Sequence, residues 1–257
     1  MVLDKSFLQG VSAAQLQYYV QEEWVFGIAD VFWYEHFRKW DEWRLANLIK
    51  LKSIEKSLVL LPGIGEMFRA EAQKHRPATQ VLVGKRVILN PNLRAGGRFS
   101  ELDGQTKEFA SGRTVELEKR LDDMIAIWRD FKTLPALNNA TQSEMPDRVR
   151  ELSLQIRDDP EDIRGFYRNH RIPPWPEPEL IDEQWAFFRW IQVQLLAGLD
   201  FFASYGVKIQ PSREKLMHEI LDLEYLIMAL VVGGLASREK RMIERFKLLR
   251  PDGVLLR

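Results

Sequence analysis

The chain predicts an α/β protein: a parallel sheet flanked by helices and interrupted by a large, mostly helical insertion. Three observations carry this. Short apolar or β-branched runs alternate with helical periodicity at both ends of the chain. The middle reads as helix after helix. Near the C-terminus, Gly233–Gly234 breaks an apolar helix and hands the chain to a short buried run. The chain therefore divides into a discontinuous α/β core, residues 1–60 and 205–257, and a helical insertion, residues 61–204. The same pattern allows the middle to be a separate helical domain.

The elements follow in order. Met1–Leu3 is a short apolar strand with Asp4 at its carboxyl end, and Ser6 is an N-cap or early helix residue. Phe7, Val11, Leu16 and Tyr19 predict one helix or two short ones. Trp24–Ala29 has the aromatic and β-branched bias of a second strand. Asp30 caps a helix marked by Val31, Tyr34, Phe37 and Trp40/Trp43, with Glu35 about one turn in. Leu58–Leu61 is a third apolar run, stopped by Pro62, and Gly63–His75 is helical. Thr79–Gly104 is turn-rich. Val115, Leu117, Leu121, Met124, Ile125 and Trp128 mark an amphipathic helix over Val115–Phe131. Asp147–Ile156 is a short helix. The prolines of Ile172–Pro178 exclude helix interior and central strand. Leu180–Tyr205 is a long helix, apolar on most faces and so buried. Tyr205–Ile209 reads as a strand. Ser212 caps a helix over Arg213–Val232, and Gly234–Ala236 is a buried strand. A basic helix over Arg238–Arg250 and a closing strand complete the chain.

Composition narrows the function. The 257 residues carry 37 basic and 37 acidic side chains, so no global field draws the chain to nucleic acid, and any such binding needs a local basic patch. With no cysteine, disulfides, thiolate zinc sites and cysteine catalysis are excluded, and a reducing compartment fits. No apolar run reaches the length of a membrane span, and Asp4 stands where an export signal would be basic and then apolar. These readings point to a cytoplasmic protein without a membrane partner.

Four carboxylates stand where an α/β fold concentrates function, outside the carboxyl ends of its strands. Asp4 follows the first strand and Glu239 follows Gly234–Ala236. Glu35 lies on the helix after the second strand, and Asp222 lies on the helix before the Gly-Gly break. Four carboxylates held together repel unless a cation neutralises them, and hard oxygen ligands in that number suit Mg²⁺ or Mn²⁺. Such an ion can activate water for phosphodiester hydrolysis. Taken singly, each of these acids is more often a solvated surface group, Glu224 faces elsewhere on its helix, and Asp30 reads as a cap.

VLDKSFL resembles the opening strand of the PIN-domain nucleases, with Asp4 as the first acid and Ser6 as the small polar residue two later. VFWYEHFR resembles their second segment, whose acid is Glu35. DLEYLIMALVVGGLASRE resembles the paired third and fourth segments: Asp222 takes the third acid, Ala229 and Gly233 follow it, and Ser237–Glu239 takes the Thr/Ser-x-Asp position. LLRPDGVLL resembles the last helix-to-strand passage. The resemblance covers roughly the first 40 and last 45 residues. It departs from the family in having Glu239 rather than Asp, and in the long gap between Glu35 and Asp222. It implies a PIN-like endonuclease dependent on Mg²⁺ or Mn²⁺ and acting on single-stranded RNA. Asp4, Glu35, Asp222 and Glu239 would hold the metal, and Ser6 and Ser237 would orient ligands or phosphate. It also implies two other roles, a catalytically silent RNA- or protein-binding module and a toxin silenced by an antitoxin partner. A homodimer is compatible with each.

Other groups were weighed against plainer readings. Arg238, Lys240 and Arg241 open a basic helix beside the acids and would contact phosphate, though a solvated face explains them as well. Lys50, Lys52 and Lys56 form a weaker second patch. The four histidines have no metal-ligand spacing, and packing or surface roles fit His36 and His218 better. The tryptophans of WYEHFRKWDEW fit core or interface better than base stacking. GIGEM is too short for a nucleotide fingerprint.

Overall fold

Three β-rich runs with both faces covered form the centre of the sheet. β1 (Val2–Leu3) pairs in parallel with β2 (Phe26–Ile28) on one side and β5 (Gly234–Ala236) on the other. All eight residues are buried, as the strands of a parallel sheet require. β3 (Leu58–Leu60) extends the sheet beyond β2, and β6 (Val254–Leu256) extends it beyond β5, both in parallel. A two-residue strand, β4 (Lys85–Arg86), adds antiparallel at the β3 edge. The order is β4-β3-β2-β1-β5-β6. The computed structural model describes residues 1–38, 43–81, 85–86, 104–130, 137, 139–141, 143–170, 175–205 and 212–257.

This order has a switch point. From β1 the chain winds outward through β2 and β3, then returns on the other side of β1 as β5 and β6. Helices leave the neighbouring carboxyl ends of β1 and β5 in opposite directions there, which opens a crevice.

The helices that join the strands are α1 (Lys5–Gly10), α2 (Ala13–Gln21), α3 (Asp30–Arg38) and α4 (Trp43–Ser53). After β3 come α5 (Ile64–Lys74), α6 (Ala78–Val81), α7 (Gly104–Asp130), α8 (Met145–Asp158) and α9 (Pro160–His170). The last three are α10 (Ala186–Tyr205), α11 (Arg213–Val232) and α12 (Lys240–Leu249). Several boundaries have clear local causes. Ser12 and Gln15 form a reciprocal capping box at α2. The Ser212 hydroxyl accepts from the Lys215 amide at α11, as its sequence predicts. Gly233 ends α11 at φ +84°, a left-handed conformation that favours glycine.

The buried residues form two clusters. One unites the sheet with α11 and with apolar residues of α7 and α10, including Leu117, Leu121, Val193 and Leu196. The other lies among α8, α9 and α10 and is rich in aromatics such as Tyr167, Trp185 and Phe188. α10 belongs to both, which explains why its sequence is apolar on nearly every face.

Some expectations need correction. α7 begins eleven residues before Val115, and Val115 itself is 69% exposed, whereas Leu117, Leu121, Met124 and Ile125 face inward. α10 starts at Ala186, because Pro178–Leu180 forms a separate 3₁₀ turn. Residues Pro160–His170 form a regular helix with proline at the first position, where its missing N–H is harmless. Tyr205, expected to open a strand, instead ends α10, while residues 206–209, most of the turn-rich stretch after residue 86 and the side chains of Phe37, Trp40, Trp43 and Trp128 lie outside what is described. Among the described residues, no helix is long and apolar enough to cross a membrane.

Candidate functional site

Asp4 and Ser237 each follow a central strand, β1 and β5, so the sheet sets them side by side at the switch point. The Asp4 amide continues the ladder by donating to the Ala236 carbonyl at 3.0 Å. The Asp4 carboxylate is buried, and its Oδ2 accepts from the hydroxyls of both Ser6 and Ser237, the latter at 2.6 Å. The two hydroxyl oxygens stand 3.3 Å apart. Each also accepts from the following loop: Ser6 Oγ from the Arg238 amide at 2.9 Å, and Ser237 Oγ from the Glu239 amide at 3.0 Å. Two serines thus lock Asp4 and the β5–α12 loop into one unit.

Glu239 occupies the N-cap position of α12 without a side-chain capping bond, and it is exposed. Glu35 lies on α3 and accepts from the Tyr225 hydroxyl at 2.8 Å. Asp222 is half-buried on α11. Burial pushes its carboxyl up to about 8, and the negative charges of Glu219, Asp4, Glu35 and Glu239 push in the same direction. Asp222 is therefore within electrostatic reach of all three other acids singled out from the sequence, from both ends of the chain.

Two members of this set were missed by the sequence reading. Glu219 and Tyr225 lie three residues either side of Asp222, the spacing that puts side chains on one helical face. Tyr225 is fully buried, and its hydroxyl is pushed well above the ordinary phenol range by burial, Glu35 and Asp4. It is thus a fixed neutral donor that orients Glu35. The signal in the sequence is the polar atoms at i−3 and i+3 from Asp222, on the same helical face.

The cations divide. The exposed Arg238 side chain runs over α1, where a Cβ added to Gly10 would meet its guanidinium at 2.4 Å. Lys50 donates to the Leu8 carbonyl at 2.8 Å nearby, and its ammonium is shifted down by burial and by Arg238. Lys240 is 88% exposed, with Glu244 at 3.8 Å. Arg241 is held by Glu219 at 2.8 Å and Asp200 at 3.4 Å, and Arg245 by the same two acids. Of the cations at the start of the basic helix, Arg238 lies nearest the serines, while Arg241 is engaged in ion pairs. A cleft of about 520 Å³ beside Glu239 is walled by Ser153 of α8 and Asp200 of α10, so insertion helices flank this corner.

Two plainer readings hold. His36 is buried and stacked on Phe32 at 4.1 Å between ring centres, with Asn47 at 3.3 Å from Nε2. Glu224 faces away from the acids and is bridged by Arg113 and Arg120 of α7.

Negative charge gathers around Asp222, and a hard cation placed there would relieve it. Among the described residues, no three acidic or histidine side chains converge as a ready-made metal cage. Asp4 and Glu35 are instead held by hydroxyl donors. The fold and site together define an α/β protein with a parallel sheet and an acidic crevice at its switch point. No protein-family model, curated protein or solved structure matches the chain.

Proposed function

We propose that the chain is a PIN-like endoribonuclease that hydrolyses phosphodiester bonds of single-stranded RNA and depends on Mg²⁺ or Mn²⁺. The observation that carries this reading is the meeting of the two chain ends at the switch point, where β1 pairs with β5 and the buried Asp4 carboxylate is held by Ser6 and Ser237 beside the loop to Glu239. Asp4, Glu35, Asp222 and Glu239 would hold the ion, which when bound supplies a Lewis acid and an activated water. The chain's own residues perform the rest. Ser6 and Ser237 fix the Asp4 carboxylate, and Tyr225 fixes Glu35. Arg238, with Lys50 beside it, offers positive charge for the RNA backbone next to the acids.

The test is cleavage of a labelled single-stranded RNA by purified protein with Mn²⁺, compared with Asp4→Asn and Asp222→Asn. Cleavage by the wild type and loss to background in both variants is the expected result; cleavage that survives both changes sinks this assignment. RNA bound with equal affinity by all three proteins, and cut by none, would support the second reading, a catalytically silent binding module. The hydroxyl-held Asp4 is the feature that favours it.

A further inference from the structure

Away from the acids, α5, α7, α10 and α11 enclose a cavity of about 460 Å³. On α11 its wall is formed by Ile220, Leu223, Glu224 and Ile227, roughly 100–200° round the helix from Asp222. The rest of the lining is mainly aromatic. Phe68 stacks on Phe187 at 4.5 Å and meets Trp190 edge-on at 5.9 Å, while Trp175 leans on Phe187 at 4.7 Å. Phe68, Trp175 and Trp190 are only half-buried, although such rings usually gain stability from full burial.

One polar group in this lining has no partner. Gln194 is 6% exposed, and its buried Oε1 accepts no hydrogen bond among the described residues. An orphaned buried acceptor is costly and calls for an explanation. The Glu224 carboxylate at the same wall, by contrast, is paired with Arg113 and Arg120.

We propose that this cavity binds a flat, mainly apolar aromatic molecule carrying one N–H or O–H donor, with its rings among Trp175, Trp190 and Phe68 and its donor on the Gln194 Oε1. The volume is that of a small-molecule pocket, and one fixed acceptor in an aromatic wall gives such a ligand orientation as well as affinity. The site is independent of the acidic crevice.

The experiment uses two probes, 2-naphthol and 2-methoxynaphthalene, in which a methyl group replaces the donor proton, measured by equilibrium dialysis against the full chain; the Gln194→Leu comparison separates loss of the donor from the added bulk. The wild type is expected to bind 2-naphthol at one site per chain, about tenfold more tightly than the methyl ether. Gln194→Leu should bring the two probes to equal affinity, and Trp190→Ala should weaken both, with circular dichroism confirming that each variant is folded. The wild-type comparison needs no variant, so it stands even if one misfolds. Absence of binding by either probe, equal binding of the two by the wild type, or a preference that persists in Gln194→Leu would overturn the proposal.

Discussion

Asp4 shows how a single carboxylate is prepared by its neighbours. Its position after β1 is legible in the sequence, and so are the serines at positions 6 and 237. That both hydroxyls point at the same oxygen is decided by the pairing of β1 with β5. Ser237 has two tasks, donating to Asp4 and accepting from the Glu239 amide. Ser237→Ala should therefore destabilise the fold by about 1–3 kcal/mol, since it leaves the buried Asp4 carboxylate and the part-buried Glu239 amide each short of a partner. If the ribonuclease reading holds, activity should fall by about 10–100-fold, the usual range for a residue that orients a ligand. Urea unfolding and RNA cleavage measure the two effects. Arg241 teaches the opposite lesson. Its charge and position suggested phosphate contact, but Glu219 and Asp200, 22 and 41 residues away in sequence, hold it. No local pattern reveals such a partner.

At the scale of elements, one polar strut ties the insertion to the α/β core and a second ties parts of the insertion to one another. In the first, Glu224 on α11 bridges Arg113 and Arg120 on α7, and Arg113 also lies 3.7 Å from Asp30 at the start of α3. Glu224→Ala should cost about 3–5 kcal/mol because it leaves Arg113 buried without its main counter-charge. Adding Arg113→Met should cost much less than the sum of the single changes, and a double-mutant cycle from urea unfolding checks this. In the second strut, Glu71 of α5 is fully buried and accepts amides from Ala78, Ala186 and Phe187, capping both α6 and α10. Burial raises its carboxyl from 4.5 to about 7, against the pull of those three amides. The folded state thus holds this proton more tightly than the unfolded state. Its contribution favours folding most at low pH and declines as pH rises from about 4.5 to about 7. Glu71→Gln removes that titration. The stability advantage of wild type over the variant should therefore shrink between pH 5 and pH 8, as unfolding at the two pH values would show.

For the molecule as a whole, α10 decides how the parts depend on each other. Ala186, Val193, Leu196 and Ala197 fill the core around the sheet, while Phe187, Phe188, Ile191 and Phe202 fill the second cluster. Leu117 and Leu121 of α7 also enter the first. Replacing residues 61–204 by a short linker removes all of them and opens the core beneath the acids. Such a chain is expected to lose cooperative unfolding, and a sharp thermal transition in it would show that the sheet stands alone. The full chain should unfold in one transition followed equally by tryptophan fluorescence and far-ultraviolet circular dichroism.

The sequence by itself determined the local features. The α/β class, the three central strands, the Ser212 cap, the Gly233 stop and the candidate acids at both chain ends all rest on periodicity, propensity and the order of short motifs. These act over a few residues and are written in the chain. The tertiary structure decided which groups face one another: the two serines on Asp4, Glu219 and Tyr225 beside Asp222, the capture of Arg241, the exposure of Val115 and the Gln194 Oε1, without a partner among the described residues, in its aromatic cavity. Each depends on packing between segments distant in sequence, where burial and charge act through space.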